Sequence, residues 1–308
     1  MRFIKNTKIN FMAQTTLASI LSTILIISGI GSIVIKGGPK LSIDFKGGTL
    51  IALDFNKNIN IEQMRTVLAR TNINGEEFDF SMAEIKYFGK PSSISIRIPN
   101  MENEPENFSE NFIQFIRKSY PEEIRKEKSE FILAIEKVGP KVGAELSGDA
   151  YMAIISSLIL ILIYVSIRFE WKYAVGAILA LTHDIVATLG LFSLLDYEIS
   201  LAVVAAFLTI VGYSLNDTIV IFDRIRENRK NFKNMSIYDI VNQSINESLS
   251  RTVVTSLTTF FVVLVLFLFG GEVIHTFSFA MIIGVIIGTY SSIFIASNAV
   301  VKMSTGKI

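Results

Sequence analysis

The residues with the clearest capacity for chemistry in this chain are polar and acidic side chains embedded in apolar segments. Asn216 and Asp217 lie near the end of an apolar run, about 198–222, that is long enough to cross a bilayer. On a helix they share one face with Thr209, Gly212 and Tyr213. A carboxylate inside a membrane costs at least about 2.5–3.5 kcal/mol on insertion scales, so it should face protein or water. The pattern predicts that Asp217 takes up and releases a proton, with Asn216 as a secondary candidate.

Two more ionisable residues could take part in the same chemistry. Arg251 begins the fifth apolar run, where its guanidinium could act as a conditional counter-charge for Asp217 or snorkel to the membrane surface. Asp184 lies near the middle of the third run and is a further candidate for the proton pathway, whereas His183 is interpreted as a hydrogen-bonded core histidine. At helical spacing both lie on a narrow face with Gly176, Ala180 and Ala187.

The alternative interpretation is that these polar side chains only join helices to one another. Interhelical hydrogen bonds contribute about 1 kcal/mol each, and the rows of Ser and Thr fit that role. Asp217 fits it less well, because Asn or Ser would join helices without the cost of a charge. One proton crossing about 100 mV carries roughly 2.3 kcal/mol, which can bias an element whose two states differ by a few kcal/mol.

The elements that must position these residues are six apolar runs. Half of the residues are hydrophobic, 19% are charged and the mean hydropathy is +0.48, values that exclude an ordinary soluble domain and a disordered chain. The sequence therefore predicts an α-helical polytopic membrane protein with six transmembrane helices. The expected spans are 14–35, 151–167, 173–195, 199–222, 253–269 and 273–300, the last five within the region 149–301.

Residues 36–148, between the first and second spans, are soluble in character. Strand-like stretches at 49–55, 77–88, 92–99 and 131–138 alternate with helical patterns at 61–71 and 107–120. The order β-α-β-β-α-β predicts a small α+β domain of the ferredoxin-like kind.

The distribution of basic residues predicts the topology. Lys and Arg occur in the segment 1–13, in the short loop after the second span, in the loop 223–251 and in the tail 302–308. The alternate short loops contain none, so both termini are expected in the cytoplasm and the soluble domain outside, in a periplasm where one exists. Within 223–251, Ser236 is expected to cap an amphipathic helix.

Several function classes find no support in the residues. With no cysteine and only two histidines, the chain lacks the usual ligands of a transition-metal centre, and no metal site is expected. There is no phosphate-binding loop, nucleophile elbow or pair of catalytic carboxylates, so no enzyme is predicted. The net charge of +1 gives no reason to expect a nucleic-acid partner. No cofactor is expected, and protons are the expected coupling ion.

Four motifs resemble those of the SecD/SecF family of protein-export membrane proteins, in its SecF branch, within the RND superfamily. They are DFKGGT at 44–49, VGPKVGAEL at 138–146, His183-Asp184, and the stretch 211–228. The motif and packing positions singled out are Gly47, Gly48, Gly139, Pro140, Gly143, Gly212, and Gly284 and Gly288 of a small-residue GxxxG pattern in the sixth run.

The resemblance implies more than the residues alone. A family member would be half of an RND-type bundle that pairs with SecD to make a twelve-helix unit in the bacterial inner membrane. It would associate with the SecYEG channel and YajC and use the proton-motive force to draw unfolded preproteins across. The family's proton-pathway residues match Asp217 and Arg251, and its residue matching Asp184 is acidic. Two alternatives stay open: one half of a small-molecule exporter of the RND type, and a translocon scaffold without proton coupling.

Overall fold

A computed structural model describes residues 7–73, 75–81, 83–101, 104–124 and 128–306. The chain divides into two compact units, one formed by 1–40 with 150–308 and the other by 41–149. In chain order the elements are a 3₁₀ turn Met12–Gln14, α1 (Thr15–Ile35), α2 (Ile43–Lys46), β1 (Gly48–Asp54), α3 (Ile61–Leu68), β2 (Thr71–Ile73), β3 (Glu76–Phe78), β4 (Glu84–Phe88), β5 (Lys90–Ile98), α4 (Phe108–Ser119), α5 (Lys128–Phe131), β6 (Ile132–Val138), α6 (Pro140–Arg168), α7 (Trp171–Leu194), α8 (Leu201–Asn231), α9 (Ile237–Phe269), α10 (Glu272–Ser291), a π-helical turn Ser292–Ala296 and α11 (Ser297–Ser304).

Six helical stretches in the described part of the chain are long and apolar enough to span a membrane. They confirm the predicted fold class of six membrane helices with a small β-containing domain. Over half of the apolar window is buried in α7, in α8 and in the stretch from α10 to α11, against 17% in α1 and α9 and 6% in α6. The first three therefore form the centre of the helical unit, and the others present apolar side chains outward, as suits lipid or a partner helix.

The helices extend well beyond the apolar runs on which the sequence boundaries were based. α6 begins at Pro140 instead of 151, and its opening proline suits the first turn because an N-terminal N–H has no intrahelical partner. α8 continues to Asn231 and α9 begins at Ile237, so the expected loop 223–251 is almost entirely helical. The amphipathic helix expected there is the first part of α9, because no Gly or Pro interrupts the chain before Phe269.

Ser236 begins α9 as the sequence predicts, since its side chain accepts a hydrogen bond from the backbone N–H of Asp239. The sixth run, in contrast, is not one regular helix. α10 ends at Ser291, a π-helical turn follows, and the hydroxyl of Ser297 bonds to the carbonyl of Ser292 at 2.9 Å. Single π turns inside α-helices are frequent at functional sites.

The unit of residues 41–149 is built on a four-stranded sheet. Its strand order is β4-β5-β1-β6 and every pairing is antiparallel, which is the ferredoxin-like arrangement. The run expected as one strand, 77–88, is divided between the β2–β3 hairpin and β4, because Asp79 and Ser81 form a side-chain turn between them. The core is apolar and fully buried, with Ile51, Leu53, Met64, Ile94, Phe112 and Phe131 among its members.

The two glycine motifs of this unit meet at the start of α6. Gly47 and Gly48 have φ of +72° and +128°, in the region that favours glycine. A Cβ on Gly48 would lie 2.6 Å from the carbonyl oxygen of Ile98, and a Cβ on Gly143 would lie 2.8 Å from that of Phe45. Gly47 and Gly143 are therefore required by close packing between the two motifs and Gly48 by close packing against the end of β5, whereas a Cβ on Gly139 would have no neighbour within 4 Å.

In the helical unit, α1 approaches α7 through a pair of glycines. A Cβ on Gly29 would lie 2.5 Å from the Cα of Gly190, so Gly29→Val must push the two helix backbones apart. We expect this change to lower the free energy of unfolding by about 1–3 kcal/mol, the usual cost of overpacking. Gly31→Val is the matched control on the same helix, because nothing lies within 4 Å of that position. Equal thermal stability of the two purified variants would contradict the prediction.

The loop between α7 and α8 is tied to the end of α1 by an acid with two lysines. The Nζ of Lys40 donates to Asp196 at 3.0 Å and that of Lys36 at 3.4 Å, and these bonds, the first above all, hold the pKa of Asp196 below its usual 3.8. The stabilisation is therefore complete above about pH 4 and disappears as pH falls through the lower folded-state pKa.

For this exposed cluster we expect a contribution of at most about 1 kcal/mol. The test compares thermal unfolding of the parent chain and of Asp196→Asn, a residue that tolerates the φ of +60° at this position. The parent should be slightly more stable at pH 6, and the difference should shrink as the pH falls below about 4. A constant difference over this pH range would refute the ionic origin.

Candidate functional site

Among the described carboxylates of the helical unit, Asp184 is the most thoroughly enclosed, with none of its surface exposed. The hydroxyls of Ser214 on α8 and Ser291 on α10 donate to its Oδ2 at 2.6 and 2.8 Å. Its Oδ1 lies 3.0 Å from Nδ1 of His183. One carboxylate therefore joins α7, α8 and α10, the three central helices.

The hydrogen-bond chain continues from His183 to α1. Nε2 of His183 lies 3.0 Å from the hydroxyl of Ser22, which lies 2.9 Å from the hydroxyl of Tyr290. Tyr290 in turn donates to the carbonyl oxygen of Ala18 at 2.6 Å. The interpretation of His183 as a hydrogen-bonded core histidine agrees with this geometry, and the chain extends the network to a fourth helix.

Asp217 lies on α8 with 2% of its surface exposed. The hydroxyl of Ser256 on α9 reaches its Oδ2 at 3.4 Å, a long and weak hydrogen bond, and also lies 2.7 Å from the hydroxyl of Thr289 on α10. Compared with Asp184, this carboxylate has few hydrogen-bond donors. A buried acid with so little compensation is a group whose charge is costly and whose protonation state responds to nearby charges.

Arg251 lies on α9 near this carboxylate and acts on it electrostatically. It is exposed and lines a cavity of about 500 Å³ between the C-terminal part of α8 and the middle of α9. The second arginine of that cavity, Arg224, is already paired with Glu247 and, at 2.6 Å, with Glu227. Within the described ranges Arg251 has no ion pair within 4.0 Å, so its charge is available to Asp217.

The structure does not place every candidate in the interior. Asn216 and Gly212 lie on the exposed side of α8, away from the buried Asp217, and a Cβ on Gly212 would have no neighbour within 4 Å. Gly284 and Gly288 do lie at a close contact. A Cβ on Gly284 would collide with the side chain of Ile210, and one on Gly288 would lie 2.9 Å from Cβ of Ser214.

Sequence reasoning missed several hydroxyls that contact the two acids directly. On the fifth run the residue that reaches Asp217 is Ser256, on the buried side of α9. The only sequence feature that could have pointed to Ser22 and Ser214 is a hydroxyl side chain within an apolar run. Within the described part of the chain there is no cluster of three His, Cys, Asp or Glu that could hold a metal ion.

Comparison with known proteins places this geometry in a family. The family described as "Protein export membrane protein SecD/SecF, C-terminal" matches residues 119–306, more than half of the chain. The chain belongs to the SecD/SecF family. It is 45% identical to the protein translocase subunit SecF of Calditerrivibrio nitroreducens over 97% of this chain and 96% of that protein. It is 42% identical to the SecF of Vibrio alginolyticus over 97% and 91%.

Solved structures of SecD/SecF proteins support the same family assignment. SecDF of Thermus thermophilus, described as a translocon-associated membrane protein, is 37% identical with a TM-score of 0.83 over 97% of this chain. SecDF in a super-membrane-facing form is 36% identical with a TM-score of 0.70. The chain spans 39% and 40% of those two longer chains. The family relationship and the six spans make this a multi-pass membrane protein, and the names of its relatives describe transport, not enzymatic catalysis.

Proposed function

We propose that this chain is an accessory subunit of the Sec protein translocase that uses the proton-motive force to promote preprotein translocation and release. The observation that carries the proposal is the burial of the Asp217 carboxylate within the membrane bundle, where the charge of Arg251 acts on it and where Arg251 has no ion pair among the described residues. A charge at that depth is costly, and acids in such positions typically serve proton or ion pathways.

The proposed cycle begins with Asp217 ionised and attracted to Arg251. Uptake of a proton removes the negative charge, so the attraction ends and the guanidinium is free to turn into the polar cavity between α8 and α9. Release of the proton restores the attraction. Because Ser256 and Thr289 link α9 to α10 at the same point, the change of charge is able to alter the packing of three helices.

The energy available is adequate for such a change. One proton moving through about 100 mV supplies roughly 2.3 kcal/mol, and a pH difference adds to this. A two-state element with a gap of a few kcal/mol is therefore shifted from mostly one state to mostly the other. Protons are the proposed coupling ion, and Asp184 and Asn216 are secondary candidates for their pathway.

The proposed partners follow from the family. We infer pairing with SecD, because the solved SecDF chains are more than twice as long as the part that this chain matches. Association with SecYEG, YajC and an unfolded preprotein belongs to the same proposal. The basic residues of the short loops favour cytoplasmic termini, a periplasmic soluble domain and the bacterial inner membrane.

The direct test reconstitutes the chain with its SecD partner and the translocation channel in vesicles. A proton gradient of either direction is imposed, and protection of a preprotein from protease is measured. We expect export to rise with the gradient that runs toward the cytoplasmic side and to return to the basal rate when an ionophore collapses it. Export that is insensitive to the ionophore would indicate a translocon scaffold without proton coupling. Drug efflux by the same vesicles would indicate a small-molecule exporter.

A further inference from the structure

We propose that the buried face of α9 holds a chain of ordered water that joins the cavity beside Arg251 to Asp217, with Thr252 as its central hydroxyl. The chain carries protons between Asp217 and the side of the membrane on which the cavity lies. Its role as a proton route rests on the proposed function, whereas the presence of water at Thr252 can be tested without it.

The buried face of α9 is polar over its central part. Four buried hydroxyl residues follow one another there at intervals of four: Ser244, Ser248, Thr252 and Ser256. Residues at this spacing lie on one side of a helix, so their hydroxyls form a single stripe. The stripe begins where Ser244 accepts a hydrogen bond from Asn228 at 3.0 Å and ends at Ser256, the neighbour of Asp217. The next buried residue of α9 is apolar, Val263.

Thr252 differs in its hydrogen bonding from three other hydroxyl residues of the same helix. Ser244, Thr255 and Thr258 each donate to the carbonyl oxygen four residues earlier. The hydroxyl of Thr252 is buried and has no hydrogen-bond partner among the described residues. It therefore joins no helix to another. A buried hydroxyl without a protein partner is costly, and ordered water is the usual partner of such a group.

The two neighbours of Thr252 along the stripe lead to the cavity and to the acid. Ser248 lines the cavity of about 500 Å³, whose lining also includes the exposed side chains of Glu227 and Arg251. Water outside the protein is therefore able to reach Ser248. On the other side, the hydroxyl of Ser256 lies 3.4 Å from Oδ2 of Asp217. Thr252 is the single step that separates the cavity from this donor.

The spacing of the stripe suits a chain of alternating hydroxyls and waters. Four residues of α-helix rise about 6 Å, and a water bonded to two hydroxyls spans nearly that distance, because each bond is about 2.8 Å long. One water between Ser248 and Thr252 and one between Thr252 and Ser256 complete the chain. Hydroxyls and water both donate and accept, so a proton is able to pass along such a chain.

Silver ion tests for the water, because Ag⁺ is close to a water molecule in size and binds a thiol that water can reach. The chain has no cysteine, so an introduced thiol is the only one in it. Thr252→Cys is prepared in the full chain with its SecD partner in inverted membrane vesicles. Ag⁺ is added to the outer face of these vesicles, which is the cytoplasmic face in the proposed topology. The free thiol left on this chain is then counted by mass spectrometry after denaturation.

Two further cysteine variants on α9 calibrate the rate. Ser248→Cys lies at the cavity and should react quickly, whereas Val263→Cys is buried on the apolar continuation of the same face and should react slowly. We expect Thr252→Cys to react at least about tenfold faster than Val263→Cys, because an ion enters packed apolar side chains only at high cost. Equal rates at positions 252 and 263 would overturn the proposal.

A second pair of variants tests whether the water chain carries protons. Thr252→Val keeps the shape of the side chain but removes the hydroxyl, and Thr252→Ser keeps the hydroxyl. We expect the gradient-dependent part of export to fall at least about tenfold in Thr252→Val and to return in Thr252→Ser. Thermal unfolding of both variants should match the parent, which separates loss of the route from loss of the fold.

The outcomes distinguish this proposal from the proposed function. Parent export that ignores the gradient would overturn the proposed function and the proton route together, and the Ag⁺ rates would still decide whether water reaches Thr252. Gradient-dependent export that is equal in Thr252→Val and the parent would overturn the route through Thr252 and leave the proposed function standing. Fast Ag⁺ reaction at Thr252→Cys with loss of export in Thr252→Val supports both.

Discussion

Replacing Asp217 by Asn is expected to abolish the gradient-dependent part of protein export while the chain remains folded. The amide has nearly the same shape as the carboxylate and keeps an oxygen for the Ser256 hydroxyl. It cannot take up or release a proton, so Arg251 loses the partner whose charge changes. A proton moving through 100 mV biases a two-state element by roughly 2.3 kcal/mol, about fiftyfold, and the variant should lose all of that bias.

The measurement is the rate of preprotein protection in vesicles with and without an imposed gradient. Asp223→Asn is the matched control on α8, because Asp223 is a half-exposed carboxylate that pairs with Arg168 at 3.4 Å. That change should leave export near the parent level. If Asp217→Asn exports as well as Asp223→Asn under a gradient, the carboxylate only joins helices and proton coupling through it is refuted.

Replacing Asp184 by Leu is expected to have the largest effect on stability. The change leaves Ser214, Ser291 and the Nδ1 side of His183 without their shared partner in the dry centre of the bundle. An unsatisfied buried polar group costs about 1–3 kcal/mol, so three together should lower the free energy of unfolding by several kcal/mol. Hydroxyls that find helix carbonyls will recover part of this, as Ser291 is able to do with Gly288 at 3.1 Å.

Thermal unfolding of purified chains measures this effect. Asp184→Asn should be much less damaging than Asp184→Leu, because its amide oxygen still accepts from the serines. Asp223→Leu gives the cost of the same substitution at a half-exposed position and should be close to neutral. Equal stability of Asp184→Leu and Asp223→Leu would contradict the view that this carboxylate holds the central helices together.

The comparison of the two acids shows why burial alone does not assign a role. Both lie in apolar helices, and the sequence singles out both for that reason. Asp184 has two serine donors and a facing imidazole, whereas Asp217 has one long bond from Ser256 and the electrostatic attraction of the Arg251 guanidinium. Which serine faces which carboxylate depends on helix rotation and crossing, and these are not encoded in the spacing of one helix.

The positions of the membrane helices were predicted from the sequence, but the residues at which the helices end were not. The apolar runs locate the six spans because a run of about twenty apolar residues is the length that a helix needs to cross a bilayer. They do not show that α8 continues to Asn231 or that α9 begins at Ile237, because helix in water needs no apolar run and is stabilised by its caps and by packing. The result is two long helices that carry Arg224, Glu247 and Arg251 to the rim of one polar cavity.

The sequence by itself determined the six membrane helices, the ferredoxin-like domain, the family and the two buried acids Asp184 and Asp217 as candidates. Hydropathy, hydrophobic periodicity and motif spacing are properties of short stretches of the chain, so they can be read without the tertiary structure. Only the tertiary structure decided that Asp184 is bonded through His183 and Ser22 to Tyr290, that Ser256 is the neighbour of Asp217, and that Asn216 faces outward. The physical reason is that a hydrogen bond between helices requires their relative rotation and depth to be fixed. That is set by packing over the whole bundle, including the glycine contacts of α1 with α7 and α8 with α10.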